Sequence, residues 1–247
     1  MTRRTLLSTV GLVALGFSAS AQQTYNGNGD SGFGGPVGNG SLTLSDNGTD
    51  ITGTFTAGTG SFGGGNGLVL YIDSGPGGFT STAGFTDTSD GNRTEISGGT
   101  SGGNQSILTF ESGFAPNYAI ALSPGGAENF GGIWSLVNGG TFPYVDSANL
   151  TPTSAGAPSY TFTIPVTDIG LTPDSGESFT FFGTYVSDSG YRSTEAIAGN
   201  DTGTQGWNPF TQTADATYTI ESVPEPSVAA LGSLGGLIAL FGWKRRK

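Results

Sequence analysis

Ile51-Thr52-Gly53-Thr54-Phe55-Thr56 sets two bulky apolar side chains against three threonines with a period of two. A strand turns successive side chains to opposite faces, so the stretch reads as half-buried β-structure with its threonines towards water. Outward from it the same texture recurs. Leu68-Val69-Leu70-Tyr71-Ile72 is a fuller apolar run, followed by Ser106-Ile107-Leu108-Thr109-Phe110 and Tyr118-Ala119-Ile120-Ala121-Leu122. Ile133 to Val137, Tyr160-Thr161-Phe162-Thr163-Ile164, Phe179 to Val186 and Ala216-Thr217-Tyr218-Thr219-Ile220 complete the series. Each run is bounded by Gly, Pro, Asn, Asp or Ser, residues that supply the turns ending strands. No long 3.6-residue apolar period interrupts them, and only Val166-Thr167-Asp168-Ile169-Gly170 reads as a helical turn. Short strands at roughly ten-residue spacing without intervening helices predict an all-β fold, one antiparallel β-sandwich of jelly-roll-like form over residues 22–222. The glycine-rich stretch Asn26 to Gly40 is either a flexible lead-in or a loop-heavy first hairpin.

The two ends of the chain have a different character. Arg3 and Arg4 precede the apolar stretch Leu6 to Phe17, and Ala19-Ser20-Ala21 gives the small-x-small pattern. Residues 1–21 therefore read as a secretory signal peptide cut before Gln22. Thr2-Arg3-Arg4-Thr5-Leu6-Leu7 also resembles a twin-arginine signal, although no cofactor motif calls for folding before export. At the other end, Val223-Pro224-Glu225-Pro226-Ser227 leads into an uncharged run, Val228 to Trp243, and then Lys244-Arg245-Arg246-Lys247. As a helix the run is about 24 Å long, short of the roughly 30 Å hydrocarbon core, and the four cations favour the cytoplasmic side. Residues 223–247 are thus expected to form one C-terminal transmembrane helix behind a short linker. Pro224-Glu225-Pro226, the apolar span and the basic terminus together resemble the PEP-CTERM sorting signal of Gram-negative bacteria. The resemblance implies recognition by an exosortase, an intramembrane cysteine protease, and removal of the tail during export to the envelope or extracellular matrix. On the residues alone, a single-span tail anchor with a stiff Pro-Glu-Pro linker stays open.

Between these ends composition narrows the chemistry. Residues 22–222 hold two basic residues, Arg93 and Arg192, against eighteen acids, which leaves −16 where the whole chain carries −11. Such a surface repels phosphate, so nucleic acid is excluded as a partner; it attracts cations, of which calcium is the candidate outside the cell. The chain has no cysteine and no histidine. Thiol nucleophiles, imidazole bases and the usual zinc or copper ligand sets are therefore excluded, and the core must be stable without disulfides. Leu70-Tyr71-Ile72-Asp73, Tyr118 to Leu122 and Tyr160 to Leu171 resemble, in strand texture, secreted bacterial domains of the DOMON and family-9 carbohydrate-binding type. That resemblance implies a β-sandwich and a sugar ligand.

Four constellations carry candidate chemistry. Gly58-Thr59-Gly60-Ser61-Phe62-Gly63 matches G-x-G-x-x-G, but no helix follows to hold a pyrophosphate. Asp87, Asp90 and Asn92 place three oxygen-bearing side chains in one short loop, a candidate calcium site beside the alternative of an acidic turn bonded to its own backbone. Arg93 near Glu95 and Arg192 near Glu195 read as ion pairs pinning strands or loops, with contact to an acidic sugar as the alternative. Among the aromatics, Trp134 beside Ile133 and Leu136 reads as buried; Trp207, in Gly206-Trp207-Asn208-Pro209-Phe210, is the better stacking platform for a sugar. The combined expectation is a non-enzymatic exported component of the envelope or an exopolysaccharide matrix, structural or adhesive, with no cofactor beyond a candidate structural calcium. Its partners are a sorting protease, the membrane and extracellular polysaccharide. A carbohydrate-binding module for a defined glycan is the alternative, and a glycoside hydrolase with paired carboxylates a third reading.

Overall fold

Alternation of apolar residues with threonine becomes alternation of burial in the structure. The computed structural model describes residues 22–100, 102–125 and 128–222. The signal peptide over 1–21, with Ala19 and Ala21, and the sorting segment over 223–247, with Pro224, Glu225, Pro226 and the basic tail, lie outside the described residues. Among the described residues no helix is long and apolar enough to cross a membrane. The elements in chain order are β1 (Gln23–Asn26), β2 (Ser41–Asp46), β3 (Asp50–Thr56), β4 (Asn66–Asp73), α1 (Gly91–Ser97), β5 (Leu108–Thr109), β6 (Tyr118–Ser123), β7 (Phe130–Ser135), β8 (Tyr144–Ser147), β9 (Ser159–Pro165), β10 (Ser178–Ser187), β11 (Arg192–Ile197), β12 (Asn200–Gly203), β13 (Phe210–Ala214) and β14 (Ala216–Thr219). Two 3-10 turns, Thr82–Gly84 and Val166–Ile169, join them; the second is the helical turn anticipated from sequence.

β1, β2, β3 and β9 form an antiparallel outer sheet in that order. Its inner face presents Leu42, Leu44, Ile51, Phe55, Tyr160, Phe162 and Ile164, while Thr43, Thr52, Thr54 and Thr163 are half-buried on the other. Gly53 stands opposite Phe162, and a Cβ on it would lie 2.2 Å from that ring. The phenyl group thus covers the place where a larger residue would have its side chain. The central sheet runs β11-β10-β4-β6-β7-β8, with β14 also on β10. Here the apolar runs are continuous because both faces are covered. Leu68, Leu70, Ile72, Ile120, Leu122, Ile133 and Phe181 meet the outer sheet in the first core. Val69, Tyr71, Ala119, Ala121, Trp134 and Phe182 face a second core closed by Ile96 of α1, Leu108 of β5 and Phe210 of β13.

The all-β sandwich expected from sequence is therefore present, with a third layer added to it. That layer consists of α1 and a small sheet, β12-β13-β5, whose β13–β5 pair is parallel over two residues. Each fully buried Leu, Ile or Phe contributes about 1.5–3 kcal/mol, so two such cores supply what cysteine-free folding requires.

Several boundaries differ from the sequence expectation. Ser106–Phe110 contributes only the two residues of β5, because Gln105 and Ser106 turn away to bond the backbones of Thr82, Ser97 and Gly190. Ile133–Val137 slides back to Phe130–Ser135, pairing with β6, and leaves Val137 exposed. Of the two alternatives for Asn26 to Gly40, the loop-heavy hairpin is the one observed, since β1 and β2 pair directly. The loop expected over Asp87–Asn92 runs into a helix instead. Asp90 accepts the Arg93 N–H at 2.8 Å as N-cap, and Gly98 closes α1 in the left-handed region at φ +66°.

Candidate functional site

One end of the central sheet gathers aromatic side chains from three loops. β10 ends at Ser187, and the turn Ser187–Gly190 is held by Gly190 N–H to Ser187 O (2.8 Å) and Tyr191 N–H to Ser187 Oγ (3.1 Å). Tyr191 then precedes Arg192, whose backbone forms a two-way bridge with Gly206 (2.9 and 3.3 Å). The bridge draws the 204–209 loop alongside. Trp207 donates its indole N–H to Ser189 O at 3.0 Å, and the Asn208 amide donates to Thr204 O and Gln205 O at 3.1 Å each. The Trp207 ring meets Tyr191 edge-on (5.1 Å, 80°), and Tyr191 stacks on Phe33 (5.9 Å, 28°). Trp207 is 42% exposed, and Phe33 and Tyr191 are half-buried. The result is a partly open aromatic row fixed by backbone hydrogen bonds.

Phe33 is positioned by a buried acid from the other side of the sequence. Glu195 on β11, fully buried, accepts N–H groups of Phe33 (2.6 Å), Gly35 (3.3 Å), Val37 (2.8 Å) and Gly38 (3.0 Å). Gly34 and Gly35, at φ +115° and +85°, let the chain curl so that successive donors point inward, an anion nest occupied by the protein's own carboxylate. The Gly-rich loop is thereby tied to the strand that carries Tyr191 into the same row.

This geometry corrects the two expected ion pairs. Residues three apart on a strand face opposite sides, so Arg192 does not meet Glu195. The fully buried Arg192 donates to Thr184 Oγ1 (3.2 Å) and Tyr71 Oη (3.5 Å), and its guanidinium lies 5.9 Å over Phe210. Asp201, on β12 within its field, is pushed up to about 7 by burial against the pull of Arg192. Residues two apart on a helix point apart as well, so Arg93 leaves Glu95 and pairs with Asp87 (3.3 Å) and Asp90.

Of the candidate calcium residues, Asp87 and Asp90 both meet Arg93, and Asn92 stands apart. Asp87 accepts Phe142 N–H (2.7 Å) and the Ser89 hydroxyl (2.7 Å). Burial raises its carboxyl, but these bonds and Arg93 together bring it below the usual range. Asn92 is turned inward, 1% exposed, apart from the two aspartates that Arg93 holds. Among the described residues no group of three or more acids is placed to hold a metal ion, and Arg93 is the cation these two aspartates meet.

Trp134 offers no face to a sugar. It is 2% exposed, packed against Phe130 and Tyr144 with Arg93 5.7 Å over the ring, which makes it part of the second core, as its apolar neighbours in sequence indicated. Glu95 is the acid whose surroundings most resemble those of a general acid: burial raises it well above its ordinary value, and Asp188, Glu128 and Asp90 push the same way against a hydrogen bond from Ser123. At 1% exposure it is closed off from a polymeric substrate. Sequence reasoning singled out Trp207 but missed Phe33 and Tyr191, isolated aromatics in separate glycine-rich loops with no local pattern to join them. No protein-family model, curated protein or solved structure matches the chain.

Proposed function

We propose that this chain is a non-enzymatic, exported component of the cell envelope or extracellular polysaccharide matrix, sorted by a PEP-CTERM-type tail and adhering to glycan through the Phe33–Tyr191–Trp207 row. The aromatic row carries this reading: half-open rings at a sheet end stack on sugar C–H faces, and Asn208, whose amide N–H groups are taken by Thr204 O and Gln205 O, keeps its carbonyl oxygen as an acceptor for hydroxyls. The −16 charge of residues 22–222 disfavours anionic polymers, so the polysaccharide is neutral. The fixed positions of Trp207, bonded to Ser189, and Phe33, held through Glu195, favour a second reading in which one defined glycan is recognised, because a pre-ordered site loses little entropy on binding.

The test is retention of the full chain on immobilised neutral and acidic polysaccharides. Retention on neutral polymers, weakened about tenfold in Trp207→Ala (roughly 1.4 kcal/mol for one stacked ring), is the expected result. Retention on a single glycan selects the second reading. Unaltered retention of Trp207→Ala argues against the site, and release of sugar fragments by the purified chain overturns the non-enzymatic assignment.

A further inference from the structure

A cleft of about 450 Å³ lies at the other end of the central sheet, within the roughly 300–1,000 Å³ range of small-ligand sites. Its walls come from the 76–79 loop that follows β4, from Asn117 and Tyr118 at the start of β6, and from Ser135, Leu136 and Val137 at the end of β7. We propose that this cleft is a second glycan site, taking a short segment of neutral polysaccharide, so that one molecule holds two polymer chains together. The proposal rests on the glycan-adhesion reading and extends it from one contact to two.

Four observations support it. The described lining residues include no charged side chain, which sets the cleft apart from the acidic surface around it and suits an uncharged ligand. The lining combines the half-buried rings of Phe79 and Tyr118 with hydrogen-bonding groups, as sugar recognition requires. Asn117 Oδ1 accepts the Ser74 N–H at 3.2 Å, which fixes the amide and leaves Nδ2 as a donor. Val137, 74% exposed, forms an apolar rim.

The cleft is also built to keep its shape. Phe79 N–H donates to Pro116 O (3.2 Å), Ala115 N–H donates to Asp73 Oδ2 (2.9 Å), and Leu136 N–H donates to Asn117 O (2.8 Å). Gly78, at φ +136°, lies so close to this backbone that a Cβ would stand 2.1 Å from Ala115 O. Only glycine lets the loop approach that far.

The position of the two sites turns a second contact into a cross-link. β4 pairs with β10 from Asn66↔Ser187, beside the Trp207 row, to Asp73↔Thr180, beside the cleft. Seven steps of about 3.4 Å along these eight residues put the sites roughly 24 Å apart at opposite ends of the sheet, too far to serve one sugar ring.

The experiment uses the full chain with soluble and immobilised dextran, galactan and β-glucan, reading retention for binding and light scattering for cross-linking. Val137→Glu places a charge on an exposed rim without touching the core, so the fold is kept, and an unchanged melting midpoint checks this. The expected result is that Val137→Glu and Trp207→Ala each still bind but scatter at least tenfold less than the unsubstituted chain, and that the double variant is not retained. Scattering by Val137→Glu equal to that of the unsubstituted chain overturns the cleft as a site while leaving the Trp207 row intact. If the unsubstituted chain is not retained on any of the three polymers, both readings fall together.

Discussion

The carboxyls of Glu195 and Asp201 are both buried, and their surroundings give opposite consequences for substitution. Glu195 accepts four backbone N–H groups of the 33–38 loop. Glu195→Gln replaces one acceptor oxygen with a donor facing two other donors, at a cost of about 2–4 kcal/mol, and loosens Phe33. Urea denaturation should show that loss together with weaker polysaccharide retention; an unchanged midpoint would remove the nest from the account. Asp201 lies about three pH units above its ordinary value, so between pH 4 and 7 the folded protein keeps a proton that the unfolded chain gives up. Its contribution is fully present below about pH 4 and is lost as pH rises through about 7. Asp201→Asn should therefore be more stable than the unsubstituted protein at pH 8, by roughly 2–4 kcal/mol, with the two converging near pH 4. Denaturation midpoints at both pH values test this, and equal stability at pH 8 would contradict it. Buried Glu95 pushes in the same direction, so the unsubstituted protein itself should be more stable at pH 5 than at pH 8.

At the scale of elements, legibility followed burial pattern. β3, β4, β6, β9 and β10 were readable because five or more residues repeat one pattern and every second or every residue is covered. β11 and β12 were not. Their buried positions include Arg192, Ser193, Glu195 and Asp201, whose partners come from remote loops that no local pattern announces. Helix α1 escaped notice because its seven residues contain one large apolar side chain, Ile96, although Asp90 and Gly98 mark its two ends. Trp207 was legible as an exposed ring from its Gly-Trp-Asn-Pro setting; Phe33 and Tyr191, more than 150 residues apart, met only through the nest at Glu195. Asp90→Ala removes the cap and the Arg93 pair, which should cost about 1–2 kcal/mol. Calcium or EDTA should leave the melting midpoint of the unsubstituted protein in place, because Arg93 already meets these aspartates. A calcium-dependent rise of several degrees would instead give the loop a metal role.

For the whole molecule, the proposal joins an acidic three-layered β-domain to a sorting tail that carries half of the chain's basic residues. If the tail acts as an exosortase signal, mass spectrometry of the exported protein should yield no peptide from residues 228–247; recovering that segment would favour the tail anchor. The central claim, that glycan is held at the Phe33–Tyr191–Trp207 row, is tested most directly by tryptophan fluorescence. Trp207 is 42% exposed and Trp134 2%, so covering the row with sugar changes the surroundings of Trp207 alone within the domain. Titration of the full chain with a neutral polysaccharide should give a saturable blue shift that is absent in Trp207→Ala. A full-sized shift in Trp207→Ala, or none in the unsubstituted chain while it binds the polymer, would contradict the account.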